Sequence, residues 1–500
     1  MTQPAAQEPP AFVPPGRYRM YVDGEWVAGE TEYDAVNPST GLPWTRLPLA
    51  APAHVAHAVR AAGRAFRDWR RSSPATRQQV LAKIADRIEA DPGRWAQLLA
   101  TENGRPIREA TVADVPSSAA IFRYFSGLAR DHHGDQLPVE DPHTLVYTTR
   151  EPLGVIAAVL PWNSPIITLA NKVAPALAAG NTVVVKPSEF ATASVLEFAA
   201  LVADLLPPGV FNVVTGDGRV GAALVAHPDV AKVTLTGGGP TARRIMAAAA
   251  EALTPTIMEL GGKSALIVAE DADLERAVAD AALGIYLANG EACIASSRIL
   301  LHDAIADELL ERFAGTARSI RVGDALDPET QVGPLVSRQQ HDRVRAHLDS
   351  ARRQGLRLCA GDEPLDLPAS RSGGFYLRPA ILYGDRVTAE VASEEVFGPA
   401  TVAERFTDYA DAVERANSTR YGLASGVWTN DLTRAHRIAR DLDAGIVWVN
   451  KWFDLPAGVP MGGIKDSGFG RELCRETMLE FSAPKVVNID LGAPRLPLWG

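Results

Sequence analysis

Cys293 lies in the segment Tyr286-Leu-Ala-Asn-Gly-Glu-Ala-Cys-Ile-Ala-Ser-Ser-Arg298, with a glycine at 290, an acid at 291 and small residues on its C-terminal side. Such a run predicts a thiol held open at a turn. A thiolate so placed is a covalent nucleophile, provided that substrate reaches it and neighbours orient it. The competing reading is a small buried hydrophobe, the commoner fate of a lone cysteine. A hydrolase built on this thiol would need a partner base such as histidine, and none stands near Cys293 in the sequence.

Two glycine-rich segments are candidates for holding phosphate. Gly216-Asp-Gly-Arg-Val-Gly221 has the spacing of a dinucleotide fingerprint, follows a strand-like run and opens a helix-like one. Asp217 would repel a pyrophosphate, and the segment follows the third strand of its unit instead of the first, so a tight turn is the favoured reading. The stronger candidate is Thr236-Gly237-Gly238, which ends the fourth strand and enters a helix with Pro240 in its first turn. Free N–H groups and the helix dipole favour an anion there.

Basic residues are almost all arginine; eight lysines occur, at 83, 172, 186, 232, 263, 451, 465 and 485. A chain that uses arginine so consistently needs lysine chemistry at some of those positions. Lys186-Pro-Ser-Glu189 ends the second strand, where an amine and a carboxylate can hydrogen-bond ribose hydroxyls. A carboxylate at that place favours a free 2′-hydroxyl, hence NAD, with NADP possible.

These groups need a scaffold, and 500 residues imply two or three domains. A net charge of −10 disfavours nucleic acid and anionic membranes as partners. Three cysteines and ten histidines show no ligand spacing, so no metal site is expected. No apolar run reaches membrane-spanning length. Residues 1–16 read as a disordered Pro/Ala/Gln arm with no signal peptide, which makes the cytoplasm the expected compartment.

From 54 to 91 apolar residues recur at helical spacing. Between 154 and 259 five short apolar runs (154–160, 181–185, 210–214, 232–236, 255–259) alternate with helix-like segments (165–179, 193–206, 219–226, 241–250). That alternation predicts a parallel sheet covered on both faces, a Rossmann-like unit whose ligands gather at the C-terminal strand ends. A second α/β series runs from 263 to about 450, with Gly261-Gly262 as a hinge between the two. Segments 131–150 and 481–500 fit neither and predict a projecting β hairpin that pairs with another subunit.

Seven motifs in order resemble the aldehyde dehydrogenase superfamily over nearly the full chain: Pro161-Trp-Asn-Ser-Pro165, Lys186-Pro-Ser-Glu189, Thr236-Gly-Gly238, Glu259-Leu-Gly-Gly-Lys263, Gly290-Glu-Ala-Cys293, Glu394-Glu-Val-Phe-Gly-Pro399 and Gly462-Gly-Ile-Lys-Asp-Ser-Gly468. The resemblance implies an α/β fold with a Rossmann-like cofactor domain (17–130 and 151–260) and an α/β catalytic domain (261–450). Oligomerisation segments (131–150 and 477–500) and an active-site loop returning to the cofactor domain (451–476) complete it. It implies Cys293 as nucleophile, Asn163 as oxyanion donor and Glu259 as the base that activates water. It further implies Trp162, Lys186, Glu189, Thr236, Gly237, Gly238, Leu260, Glu395 and Phe397 as NAD contacts. The pyrophosphate would sit at Thr236-Gly237-Gly238, where Gly238 replaces the serine of many relatives.

On the substrate side the resemblance points to Ser164, Asn171, Leu287, Ile294, Trp452, Phe453 and Met461. Ser164, Asn171, Leu287 and Met461 stand where many relatives carry aromatics, which implies a wider tunnel for a bulky or apolar aldehyde. No arginine or lysine stands out as a carboxylate anchor. The implied product is a carboxylic acid, and the implied assembly a homodimer or homotetramer. The alternatives are a CoA-acylating relative, which needs no water-activating Glu259, and a non-catalytic use of the fold.

Overall fold

The computed structural model describes residues 12–492. Its largest sheet has eight strands, in the order Glu25–Val27, Met20–Val22, Phe211–Val213, Thr182–Lys186, Val155–Val159, Val230–Thr236, Thr256–Glu259 and Gly468–Phe469. The five strands expected from sequence form its parallel centre. The additions at both edges are antiparallel.

The strand Val155–Val159 shows why this sheet must be buried on both sides. Ile156 and Ala158 enter one apolar cluster, built with the helices Val115–Leu128, Pro165–Ala179 and Ala193–Val202. Val155, Ala157 and Val159 enter another, built with Pro52–Trp69, Gly218–Val225 and Gly239–Glu251. Alternation of period two sends successive side chains to opposite faces. Each fully buried aliphatic side chain stabilises the fold by about 1.5–3 kcal/mol.

A second sheet of seven strands runs Arg357–Ala360, Ala380–Tyr383, Ala400–Phe406, Arg298–His302, Ala265–Val268, Ala424–Trp428, Ile446–Val449. It is parallel except at its first edge. Gly261 and Gly262 lie between the two sheets, and close approach accounts for both glycines. A Cβ at 261 would collide with the Glu395 carboxylate, and one at 262 with the backbone carbonyl of Cys293.

The two outlying β segments pair with each other. Ser482–Asp490 lies antiparallel to Thr144–Pro152 through nine residue pairs, from Ser482↔Pro152 to Asp490↔Thr144, and Gln136–Leu137 completes the sheet. The expected hairpin is thus closed by the chain's own tail, and Val486 and Ile489 remain exposed on it. The expectation for the N-terminal arm falls largely on residues 1–11, outside the described part. No described helix is long and apolar enough to cross a membrane.

Candidate active site

A cavity of about 510 Å³ lies between the two large sheets. Sixteen of the residues singled out in the sequence line it: Cys293, Glu259, Asn163, Trp162, Thr236, Gly237, Gly238, Leu260, Glu395, Phe397, Ser164, Asn171, Leu287, Ile294, Phe453 and Met461.

Cys293 follows a turn in which Ala288, Asn289 and Gly290 all have left-handed φ, at 57°, 57° and 73°. Only glycine takes that conformation freely, so the two other residues need external support. The Asn289 side chain supplies some of it, donating to the carbonyls of Gly104 and Pro334 and accepting from the Gly333 N–H at 2.7 Å. Burial, followed by the carboxylates of Glu395 and Glu259, pushes the Cys293 thiol up to about 12. Asn163 sits on the turn entering the helix Pro165–Ala179, and its Nδ2 donates to the Glu291 carbonyl at 2.8 Å.

Glu259 ends a parallel strand, the location where open α/β sheets collect chemistry. It is buried, and neither carboxylate oxygen has a protein partner. Burial and then the neighbouring Glu472 push its carboxyl well above the ordinary range, while Lys172 pulls it down. Lys172, fully buried, donates to Glu472 at 2.6 Å and to Thr234 Oγ1 at 3.1 Å.

At the other end of the cavity, Gly238 caps the helix Gly239–Glu251 with no side chain occupying its first N–H groups. Thr236 Oγ1 beside it is buried without a partner. Open N–H groups at a 13-residue helix, together with an unspent hydroxyl, suit a pyrophosphate. The competing Gly216 turn is already filled: Asp217 accepts from the Arg219 N–H and caps its own helix. Glu395 accepts from the Gly262 N–H at 2.9 Å, and burial lifts its carboxyl to about 7. Phe397, at φ 59°, meets Trp162 edge to face at 5.2 Å between centroids. Lys186 and Glu189 lie outside the cavity lining as a 3.6 Å ion pair at the end of their strand.

Trp452 does not line the cavity. It is buried in the core around the seven-stranded sheet, against Trp448 at 4.9 Å. Its indole N–H donates to the Ile294 carbonyl at 3.0 Å, which draws the ring beneath the turn of Cys293 and leaves Phe453, of the two, on the wall. Several lining residues were not anticipated. Gln340 donates to the Phe397 carbonyl and Arg343 to that of Glu395. Arg105 reaches Glu109, Asp114, the Asn163 carbonyl and Ser164 Oγ. Only the rarity of lysine hinted at Lys172. Among the described residues no group of three His, Cys, Asp or Glu could hold a metal ion.

The sequence profile of the aldehyde dehydrogenase family matches residues 26–487. The chain belongs to this family. It is therefore an oxidoreductase acting on aldehydes. It is 40% identical over 476 residues to the (Z)-2-((N-methylformamido)methylene)-5-hydroxybutyrolactone dehydrogenase of Acinetobacter baylyi, covering 94% of this chain and 96% of that protein. It is 42% identical over 480 residues to a betaine aldehyde dehydrogenase of Cereibacter sphaeroides, covering 95% and 98%. The crystal structure of PnpE in complex with nicotinamide adenine dinucleotide superposes with a TM-score of 0.94 at 42% identity, over 96% of this chain and 99% of that one.

Proposed function

We propose that the chain oxidises an aldehyde to a carboxylic acid with NAD, through a thiohemiacetal and a thioester on Cys293. The observation that carries this reading is the convergence of thiol, amide and buried carboxyl on one cavity that also opens onto an uncapped helix N-terminus. Cys293, having lost its thiol proton to solvent, adds as the thiolate to the aldehyde carbon. Asn163 Nδ2 and the Cys293 N–H donate to the developing oxyanion, and a neutral amide does so without protonating it. Bound NAD supplies the acceptor for the hydride that leaves this carbon. Glu259, once ionised, takes a proton from the water that attacks the thioester, and Cys293 departs.

Thr236, Gly237 and Gly238 hold the pyrophosphate; Lys186 and Glu189 hold the adenosine ribose; Glu395 holds the nicotinamide ribose beside Phe397, Trp162 and Leu260. Glu189 favours NAD over NADP. Glu259 favours water over CoA as acyl acceptor. The substrate wall is Ser164, Asn171, Leu287, Ile294, Phe453 and Met461, with one aromatic ring, and it suits a bulky aldehyde with a largely apolar body. Arg105 faces the cavity with its fork already committed to protein groups, so it is not free to anchor a substrate carboxylate. Pairing through the sheet of 136–152 and 482–490 would make a homodimer or homotetramer. Three free thiols suit the cytoplasm.

The test is NADH formation across aldehydes of graded length and branching, with NADP in parallel and Cys293→Ala as control. Undiminished turnover in that variant, or activity strictly dependent on CoA, would overturn the reading.

A further inference from the structure

The chain between Asn103 and Glu109 touches both turns on which the chemistry depends. On one side it holds the turn of Asn163. Arg105 Nη2 donates to the Asn163 carbonyl and to Ser164 Oγ, both at 2.7 Å. Asn103 Nδ2 donates to the Trp162 carbonyl at 3.0 Å and the Asn163 carbonyl at 3.3 Å. On the other side it holds the turn of Cys293. The Ala288 N–H donates to Glu109 at 2.9 and 3.1 Å, and Asn289 Nδ2 to the Gly104 carbonyl at 2.9 Å. Ala288 and Asn289 are the two non-glycine residues of that turn in left-handed conformation.

One ion pair joins the two sides: Arg105 Nη1 donates to Glu109 Oε1 at 2.6 Å. Arg105 Nε also lies 3.2 Å from Asp114 Oδ2, and all three side chains are buried. Asp114 closes a π-helical turn, Ala110–Asp114, a rare element that recurs at functional sites. A buried ion pair is weak grounds for stability, because desolvation consumes most of its attraction. Its geometry gives it a different use. A guanidinium presents donors in a rigid planar fork, so one side chain can fix the Asn163 carbonyl and Glu109 at a set separation. Fixing that carbonyl fixes the peptide from which the Asn163 amide projects.

We propose that Arg105 and Glu109 are positioning residues that hold the oxyanion-donor turn of Asn163 and the nucleophile turn of Cys293 in mutual register. This rests on the roles given to those two residues above. Arg105 and Glu109 act through them and need no contact with substrate.

The test is a double-mutant cycle on the full-length protein. Arg105→Lys keeps the cation beside Glu109 and Asp114, so the fold is retained, but an ammonium donates from one nitrogen and lacks the planar fork that spans Glu109 on one side and the Asn163 carbonyl and Ser164 on the other. We expect kcat to fall roughly 10- to 100-fold with the KM for NAD unchanged, the scale of an ångström's misplacement. In an Asn163→Ala background the same change costs less than about twofold, because the group it orients is gone. Asn103→Leu removes the other donor to that carbonyl without touching the buried charges and follows the same pattern at smaller amplitude. A merely structural role gives equal losses in both backgrounds and overturns the proposal, as does full activity in a folded Arg105→Lys. Undiminished turnover in Asn163→Ala alone instead refutes the role of Asn163, and the proposal with it.

Discussion

The side-chain amide of Asn163 donates to the backbone carbonyl of Glu291 across 2.8 Å, two residues before Cys293. The two residues are 128 apart in sequence, and this bond lies between the turn that carries the amide and the turn that carries the thiol. An amide at this place can exchange the carbonyl for a developing oxyanion. Asn163→Ala is expected to lower kcat about 10²–10³-fold, the usual cost of one oxyanion donor, with little change in the affinity for NAD. Steady-state kinetics together with NAD titration measure both.

In the proposed reaction Glu259 acts after the hydride has left. Glu259→Gln should therefore release one equivalent of NADH in a burst and then stall as a thioester, which rapid mixing and intact mass resolve. The sign of the pH effect follows from the carboxyl's environment. Burial and Glu472 raise its pKa, so the ionised base is scarce in acid and grows as pH rises. The hydrolytic rate of the unaltered protein should climb through pH values well above the ordinary carboxylate range, and the glutamine variant should lose that slope.

Lys172 and Glu472 form an ion pair fully enclosed beside the base. Lys172→Met leaves Glu472 buried without its cation, at a cost of roughly 3–5 kcal/mol of stability read by denaturant unfolding. Loss of the cation that pulls Glu259 down also moves the pH dependence of hydrolysis to more alkaline values.

A thiol raised to about 12 is protonated at rest. Without cofactor, Cys293 should react with iodoacetamide far more slowly than a free thiol at neutral pH. Its rate should climb up to about tenfold per pH unit, because the thiolate is the reacting form. A flat, fast rate near neutrality would show that the resting protein already holds a thiolate.

Glu189 and Lys186 stand apart from the reacting atoms, so Glu189→Gln should leave kcat nearly intact. It should raise the ratio of NADP to NAD efficiency by about tenfold, as the carboxylate's discrimination against a 2′-phosphate is lost. Parallel kinetics with the two cofactors measure it.

Much of the cofactor half was legible because its strands, such as Val155–Val159, are unbroken apolar runs bounded by helices at 3.6 periodicity. Its edge strand Gly468–Phe469 was not legible, because two residues are too few to show a period. In the site, motif residues were legible because chemistry restricts their type and order. Arg105, Glu109 and Lys172 were not, since their partners lie 58, 179 and 300 residues away and no local pattern records such contacts. Trp452 was misplaced for a related reason: which side of a loop an aromatic ring faces depends on who accepts its N–H, here Ile294.

The strand that carries Glu259 is finished by a very late piece of chain: Gly468 pairs with Glu259 and Phe469 with Met258. During synthesis from the N-terminus, the edge of that strand stays open while some two hundred further residues emerge. Domains generally fold as units in that order, and exposed strand edges invite pairing with other chains. The Glu259 carboxyl thus acquires its final surroundings only after almost the entire polypeptide has left the ribosome. A nascent or truncated protein ending before residue 468 presents a sticky, unfinished sheet at the strand of Glu259.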